Sequence, residues 1–353
     1  MTGRVAALFA DSDFDAAVIT SEVSRRYMSG FEMSDGIFVC SRDRAVLLAD
    51  GRYFEAAAAA GLDCEVQLLT DARRQLPELL GQMGAGHTAL ETRISVREAG
   101  RLSDMLKQYG ASPDERLDSV IEQMRTVKGD AEVRLITAAQ RIAEAAFEHV
   151  LGFIRAGVTE LELAAELEYA MRRSGAEGIS FETIAISGAN TSKPHGVPSG
   201  KVIEMGDLVT MDFGAVYGGY HSDMTRTVAV GRVSDEQRHV YQTVLSAGDA
   251  ALSVLCAGVR CADADAAARE IIESAGYGDR FNHSTGHGVG LEIHELPNLS
   301  PRSEAVLESG NIVTVEPGIY LPARFGVRVE DMALITADGC VNLTKADRQL
   351  IIL

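Results

Sequence analysis

Gly206-Asp-Leu-Val-Thr-Met-Asp212 returns 104 positions later as Gly310-Asn-Ile-Val-Thr-Val-Glu316. In both copies an apolar run ends on an acid, and a glycine follows two residues on, at Gly214 and Gly318. A second pair repeats at nearly the same spacing. Ala156-Gly-Val158 precedes a helical pattern that closes at Ser174-Gly175, and Ala257-Gly-Val259, offset by 101, precedes one that closes at Ala275-Gly276. A helix match and a strand match that share a spacing are read as an internal duplication. Two related helix-plus-hairpin halves imply a pseudo-symmetric domain whose site lies where the halves meet.

The acids decide what that site can hold. Gly218-Gly219 supplies a turn after Asp212, and Asp223 returns on the next strand. The spacing predicts Asp212 directly opposite Asp223, with the turn centred between Tyr217 and Gly218. It likewise predicts Glu316 opposite Glu330, with the loop centred on Ala323. Directly opposed residues have β-carbons about 5 Å apart. Four inward acids on strands that are otherwise apolar cannot stay ionised without compensation, because burial and like charge both raise their pKa values. Cations supply that compensation, and several shared carboxylates suit two ions better than one. His287 stands in Ser284-Thr-Gly-His-Gly-Val-Gly290, where small neighbours let its ring approach a ligand. The candidate metal ligands are therefore Asp212, Asp223, His287, Glu316 and Glu330. Four oxygen donors and one imidazole favour Mn²⁺, with Co²⁺, Fe²⁺ or Zn²⁺ as alternatives. Two such ions would lower the pKa of a shared water and polarise a carbonyl.

Before this region the chain alternates. Helical patterns at 2–10, 52–60, 72–83 and 96–109 are interleaved with strand patterns at 16–20, 36–41, 45–49, 66–69 and 88–91. A long amphipathic helix then starts at Asp130, read as its N-cap, and Gly157 is its expected stop. The domains are placed at 1–122, an N-terminal α/β domain, and 123–353, the duplicated domain.

Composition narrows the function further. The 353 residues carry 51 Asp and Glu against 33 Lys and Arg, a formal charge of −18. That field repels nucleic acid, and no basic stripe overrides it. No apolar run approaches the roughly 18–20 residues of a membrane span. The N-terminus lacks the pattern of a secretory signal. Five scattered cysteines without a paired spacing fit a reducing cytoplasm. Gly286-x-Gly288-x-Gly290 leads to Pro297 instead of a helix, which is poor phosphate-loop context. His294-Glu295 is not followed by the second histidine of a zincin, since position 298 is Asn298. No Gly-x-Ser-x-Gly elbow occurs.

The chain resembles the pita-bread metallopeptidases, specifically the creatinase, aminopeptidase P and prolidase branch. The segments that carry the likeness are Tyr27-Met-Ser-Gly-Phe31, Asp50-Gly-Arg-Tyr53, Met124-Arg-Thr-Val-Lys128, Lys193-Pro-His-Gly196, Met211-Asp-Phe-Gly-Ala215, Ser222-Asp-Met-Thr-Arg-Thr227, Gly286-His-Gly-Val-Gly-Leu-Glu-Ile-His-Glu295, Val315-Glu-Pro-Gly318 and Val327-Arg-Val-Glu-Asp331. The resemblance implies an α+β protein, with a creatinase-like N-terminal α/β domain and a pseudo-two-fold pita-bread catalytic domain. It implies that Asp223 and Glu330 bridge two ions, that Asp212 chelates one, and that His287 and Glu316 serve the other. A hydroxide bridging the ions would attack the scissile carbonyl, with Glu316 moving the proton. His195 and His294 match site histidines that contact the substrate and the developing oxyanion. Arg328 matches an arginine that holds the site carboxylates or the substrate's C-terminal end.

The implied substrate is a peptide with proline at its second position, whose N-terminal residue is removed. That bond has no N–H and a fixed φ, so ordinary peptidases handle it poorly. Members of the branch are often dimers, so a homodimer is the candidate assembly. Between the two activities of the branch, the sequence reading favours the Xaa-Pro aminopeptidase, with the Xaa-Pro dipeptidase (prolidase) as the alternative. A dipeptidase needs a cation for the proline carboxylate, and some dipeptidase-like members carry arginine where this chain has Asn298. More distant alternatives are a non-peptidase pita-bread hydrolase and a binding protein. Filled ligand positions argue against both.

Overall fold

A computed structural model describes residues 3–10 and 12–353, and the chain divides into two units, Met1–Arg125 and Thr126–Leu353. The first unit is built on a six-stranded sheet. Its strands run in the spatial order Glu65–Leu68, Ala45–Ala49, Gly36–Ser41, Ala16–Ile19, Thr88–Leu90 and Ser112–Pro113. Ala16–Ile19 pairs antiparallel with Gly36–Ser41 and parallel with Thr88–Leu90, so the sheet is mixed. Its central strands are buried along their whole length, as expected of strands covered on both faces. Val18, Val39 and Val46 line up in register and pack on Leu76, Leu79 and Leu80 of the helix Ala72–Met83. Asp71 caps that helix by accepting from Arg73 N.

Several local expectations shift. The first helix spans Gly3–Leu8, and residue 2 of the expected 2–10 segment lies outside the described residues. The segment expected as one helix over 96–109 is α-helical over Val96–Met105 and then tightens to a 3₁₀ turn over Lys107–Tyr109, closed by Gly110 at φ 61°. Two helices appear that the pattern did not announce, Glu22–Ser29 and Glu115–Thr126.

The second unit is the duplicated one. Its long helix is Asp130–Leu151; Gly129, not Asp130, occupies the N-cap, and Glu132 reaches back to the Gly129 N–H. The helix stops at Gly152 instead of Gly157. Gly157, at φ 100°, serves the next loop, where its N–H donates to Ile203 O.

Two cores fill this unit, one per half. In the first, the helices Asp130–Leu151 and Glu160–Arg173 pack through Phe147, Val150, Leu163 and Leu167 onto strand residues Val209, Met211 and Phe213. In the second, Asp235–Val254 and Cys261–Ser274 pack through Val244, Ala247, Ala264 and Ala268 onto Val313, Val315 and Val327. The strand Leu208–Phe213 lies between Ile184–Ser187 and Met224–Ala229. Its counterpart Ile312–Val315 lies between Gly286–Gly288 and Asp331–Ile335. Arg226, 1% exposed, ties the halves together. It donates to the carbonyls of Glu330 and Ala346 and pairs with Asp331 at 2.8 Å.

Candidate metal centre

The second hairpin keeps its expected register. Val315 lies opposite Asp331 and Gly318 opposite Arg328, so Glu316 and Glu330 face each other where the pairing is interrupted. The turn centres on Ala323 at φ 60°. At the interruption the Glu316 N–H donates to Thr285 O and the Glu330 N–H to Thr225 O. Both acids are thereby fixed by strands other than their own hairpin partner.

The first hairpin departs from expectation. Asp212 pairs with Thr225, and the turn is centred on Gly218-Gly219, at φ 55° and 71°. The register is therefore two residues away from the one that would put Asp212 directly opposite Asp223. The two aspartates are diagonal neighbours, within reach of a common ion but not opposed. The shift has a local cause: Gly214 takes the place across from Asp223, and a β-carbon there would lie 1.9 Å from Ser222 O. The backbones approach so closely that Asp212–Asp223 pairing is replaced by a pinch at glycine.

All five expected ligands line one cavity of about 620 Å³, together with His195, His294 and Arg328. Donor atoms of Asp223, His287 and Glu330 lie within 4.8 Å of one another. His287 Nε2 is 3.5 Å from Asp223 Oδ2 and 3.6 Å from Glu316 Oε1. His287 sits between Gly286 and Gly288, and a β-carbon at Gly286 would meet Thr314 O at 1.9 Å, so the glycine lets this strand close on its neighbour.

The electrostatics ask for a cation. Burial, then Asp212 and Glu316, raise the Asp223 pKa well above the carboxylate range. Burial raises Glu316, and burial with Asp223 raises Glu330. Burial lowers His287 to about 4, so the ring is neutral at pH 7. Its Nδ1 faces the Gly288 carbonyl at 3.1 Å. A carbonyl only accepts, so Nδ1 carries the proton and Nε2 presents a lone pair. That lone pair points at two carboxylates, which also only accept when ionised. Asp212 Oδ1 is buried with no hydrogen-bond partner. Lone pairs converging on lone pairs are stable only with positive charge among them, and these oxygen and imidazole donors fit a hard or borderline divalent ion.

Arg328 braces the acids. Only 3% exposed, it donates to Thr225 Oγ1 (3.0 Å), Tyr320 Oη (2.8 Å), Pro194 O (3.2 Å) and the Asp212 carboxylate. Burial opposes its charge, but Tyr320, Asp212, Glu316 and Glu330 outweigh it, and the pKa is held above its ordinary value. Thr225 in turn donates to Glu330 Oε2 at 2.8 Å. Tyr320 is not among the site residues expected from the sequence, yet its hydroxyl lies between Arg328 and His283 Nε2. The alternation Glu316, Gly318, Tyr320 on one strand path was the available signal. His283 was also missed; it lines the cavity, four residues before His287. Phe181 and Ile184 form a wall, and Ile184 pairs directly with Asp212. His195 and His294 are both exposed toward the cavity, and the His294 ring meets that of His287 at 4.4 Å.

Two family models match the chain. One is the creatinase/prolidase N-terminal domain, over residues 2–127, and the other is metallopeptidase family M24, over residues 134–337. The chain is 37% identical to a protein named Xaa-Pro dipeptidase from Pyrococcus horikoshii, over 96% of this chain and 95% of that one. Among solved structures it resembles an Xaa-Pro dipeptidase from Bacillus anthracis, with TM-score 0.93, 41% identity and coverage of 99% and 98%. It also resembles an X-Pro aminopeptidase from Thermotoga maritima, with TM-score 0.92, 39% identity and coverage of 96% and 98%.

Proposed function

The chain belongs to metallopeptidase family M24, and from that premise we propose that it is an Xaa-Pro dipeptidase using two divalent ions, Mn²⁺ first among them. The observation that carries the reading is the convergence of Asp212, Asp223, His287, Glu316 and Glu330 in one cavity that also holds His195, His294 and Arg328. Bound ions would supply Lewis acidity and an activated water. Asp223 and Glu330, the most enclosed acids, would be shared between them; Asp212 would hold one, His287 and Glu316 the other. Glu316 would be the group to take a proton from that water and pass it to the proline nitrogen. His195 and His294 donate toward the carbonyl oxygen and the substrate's carboxylate end. Arg328 keeps Asp212 in place.

The sequence reading prefers the aminopeptidase on account of Asn298. Relatives named dipeptidase, matched along nearly the whole chain, favour the other activity. The aminopeptidase remains the second reading because the Thermotoga maritima relative bears that name and because Asn298, at the cavity, offers no cation to a proline carboxylate. One preparation reconstituted with Mn²⁺ decides between them, by comparing kcat/KM for Ala-Pro and Ala-Pro-Ala. The dipeptide should be the better substrate. Preference for the tripeptide reverses the assignment, and turnover of neither with Mn²⁺, Co²⁺ or Zn²⁺ removes the peptidase claim.

A further inference from the structure

Glu160 begins the helix Glu160–Arg173, yet its side chain leaves the helix and is fully buried. It is no metal-ligand candidate. Every described partner lies in the segment 187–199. Its Oε1 accepts from Ser187 N (2.7 Å), Ser187 Oγ (3.1 Å) and Asn190 Nδ2 (3.0 Å). Its Oε2 accepts from Ser199 N (3.1 Å), Ser199 Oγ (2.7 Å) and again Asn190 Nδ2 (3.2 Å). One carboxylate therefore closes both ends of a loop, at Ser187 and at Ser199. Lys201 joins the same anchor: its Nζ donates to Ser187 Oγ at 3.0 Å and to Asp207 at 2.7 Å.

His195 stands inside this loop and is itself exposed toward the cavity. No described hydrogen bond holds its ring. Its position is set through the backbone, by Gly196 N donating to Lys193 O at 3.1 Å, by Arg328 donating to Pro194 O at 3.2 Å, and by the anchors at the loop's two ends. An exposed histidine on a free loop of this length would sample many positions. Ordering it in advance removes that cost from the binding step, and a misplacement of about 1 Å can cost about 10²-fold in rate.

We propose that Glu160 is a positioning residue for catalysis: it pins both ends of the 187–199 loop and thereby presents His195 to the substrate. This rests on the reading of His195 as a substrate-contacting group. The test is a double-mutant cycle of Glu160→Gln with His195→Ala, read as kcat and KM for Ala-Pro, with bound metal and Tm measured on each Mn²⁺-loaded variant. The single E160Q change should lower kcat/KM by roughly tenfold at unchanged metal content. In the His195→Ala background it should have no further effect, because the group it serves is gone. Glu160→Asp should recover part of the loss. Should E160Q fold poorly, Asn190→Ala, which removes the partner shared by both oxygens, replaces it in the cycle. Additive losses in the double variant would overturn the inference while leaving His195 in its role. An H195A enzyme with wild-type kinetics would overturn the reading of His195 and the inference with it.

Discussion

In the first half of the catalytic unit an aspartate pair is reached through a hairpin pinched at Gly214, turned by two glycines and offset by two residues. In the second half a glutamate pair is reached through a hairpin whose register runs unbroken to a turn at Ala323. Side-chain length explains why both work. Aspartates are short, so the first hairpin must bring its backbone in close, and only glycine permits the approach at position 214. Glutamates carry an extra methylene and reach the same centre from directly opposed positions. The second half also supplies His287, Arg328 and Tyr320, so the duplicated scaffold carries unequal chemistry. Each half anchors its histidine segment with a buried helix carboxylate: Glu160 for residues 187–199, and Asp265, which accepts from Thr285 N and Oγ1, for the segment before His287.

Removing the more enclosed acid of the first half should break the comparison most severely. Asp223→Asn is expected to cut kcat/KM on the order of 10³-fold or more and to lower bound metal, read by elemental analysis. Full metal occupancy in that variant would show that the first hairpin is not a shared ligand source. Next comes the second half's anchor. Asp265→Ala leaves the Thr285 donors unmet and strips Arg269 of its carboxylate partner, and should cost about 3 kcal/mol in urea unfolding. An unchanged midpoint would mean that the segment before His287 is held by its strand pairing alone.

Metal removal sharpens the contrast by pH. Asp223, Glu316 and Glu330 have folded pKa values raised above those of the unfolded chain. The stability they contribute is complete below the ordinary carboxylate range and is lost as pH rises through the folded values, which for Glu316 is about 8. Chelator-treated protein should therefore lose Tm between about pH 5 and pH 8, whereas Mn²⁺-loaded protein should stay nearly level over that window. Equal slopes in calorimetry would contradict the need for a cation. The smallest effects are at the turns. Ala323→Gly should stabilise by about 0.5–1 kcal/mol by relieving a positive φ, and Gly218→Ala, which would meet Leu135 at 2.8 Å, should destabilise by about 1–2 kcal/mol. Matching signs would remove the distinction between the two turns.

Much of this is legible in the sequence. The duplication, the strand ends at Asp212 and Glu316, and the register of the second hairpin follow from spacing, because an unbroken two-residue period carries register along the chain. The first hairpin's register was not legible, since spacing cannot show that Gly214 is the point of closest approach. Helix ends differ where capping competes: Gly129, with Glu132 reaching back to its N–H, takes the N-cap position expected of Asp130, and Gly152 ends the helix before Gly157. Tyr320, His283 and Glu160 escaped because their significance lies in contacts between segments 8 to 39 positions apart.

Thr225 has a consequence beyond its size. Its hydroxyl accepts from Arg328 and donates to Glu330, while its backbone pairs with Asp212. With a guanidinium on one side and a carboxylate on the other, the hydroxyl's single hydrogen has only one direction to point. Valine, of the same outline, would sever that thread. The acids of the two halves are thus not separately adjustable: a substitution that retunes those of one half is felt by those of the other, and this centre can drift only as a unit.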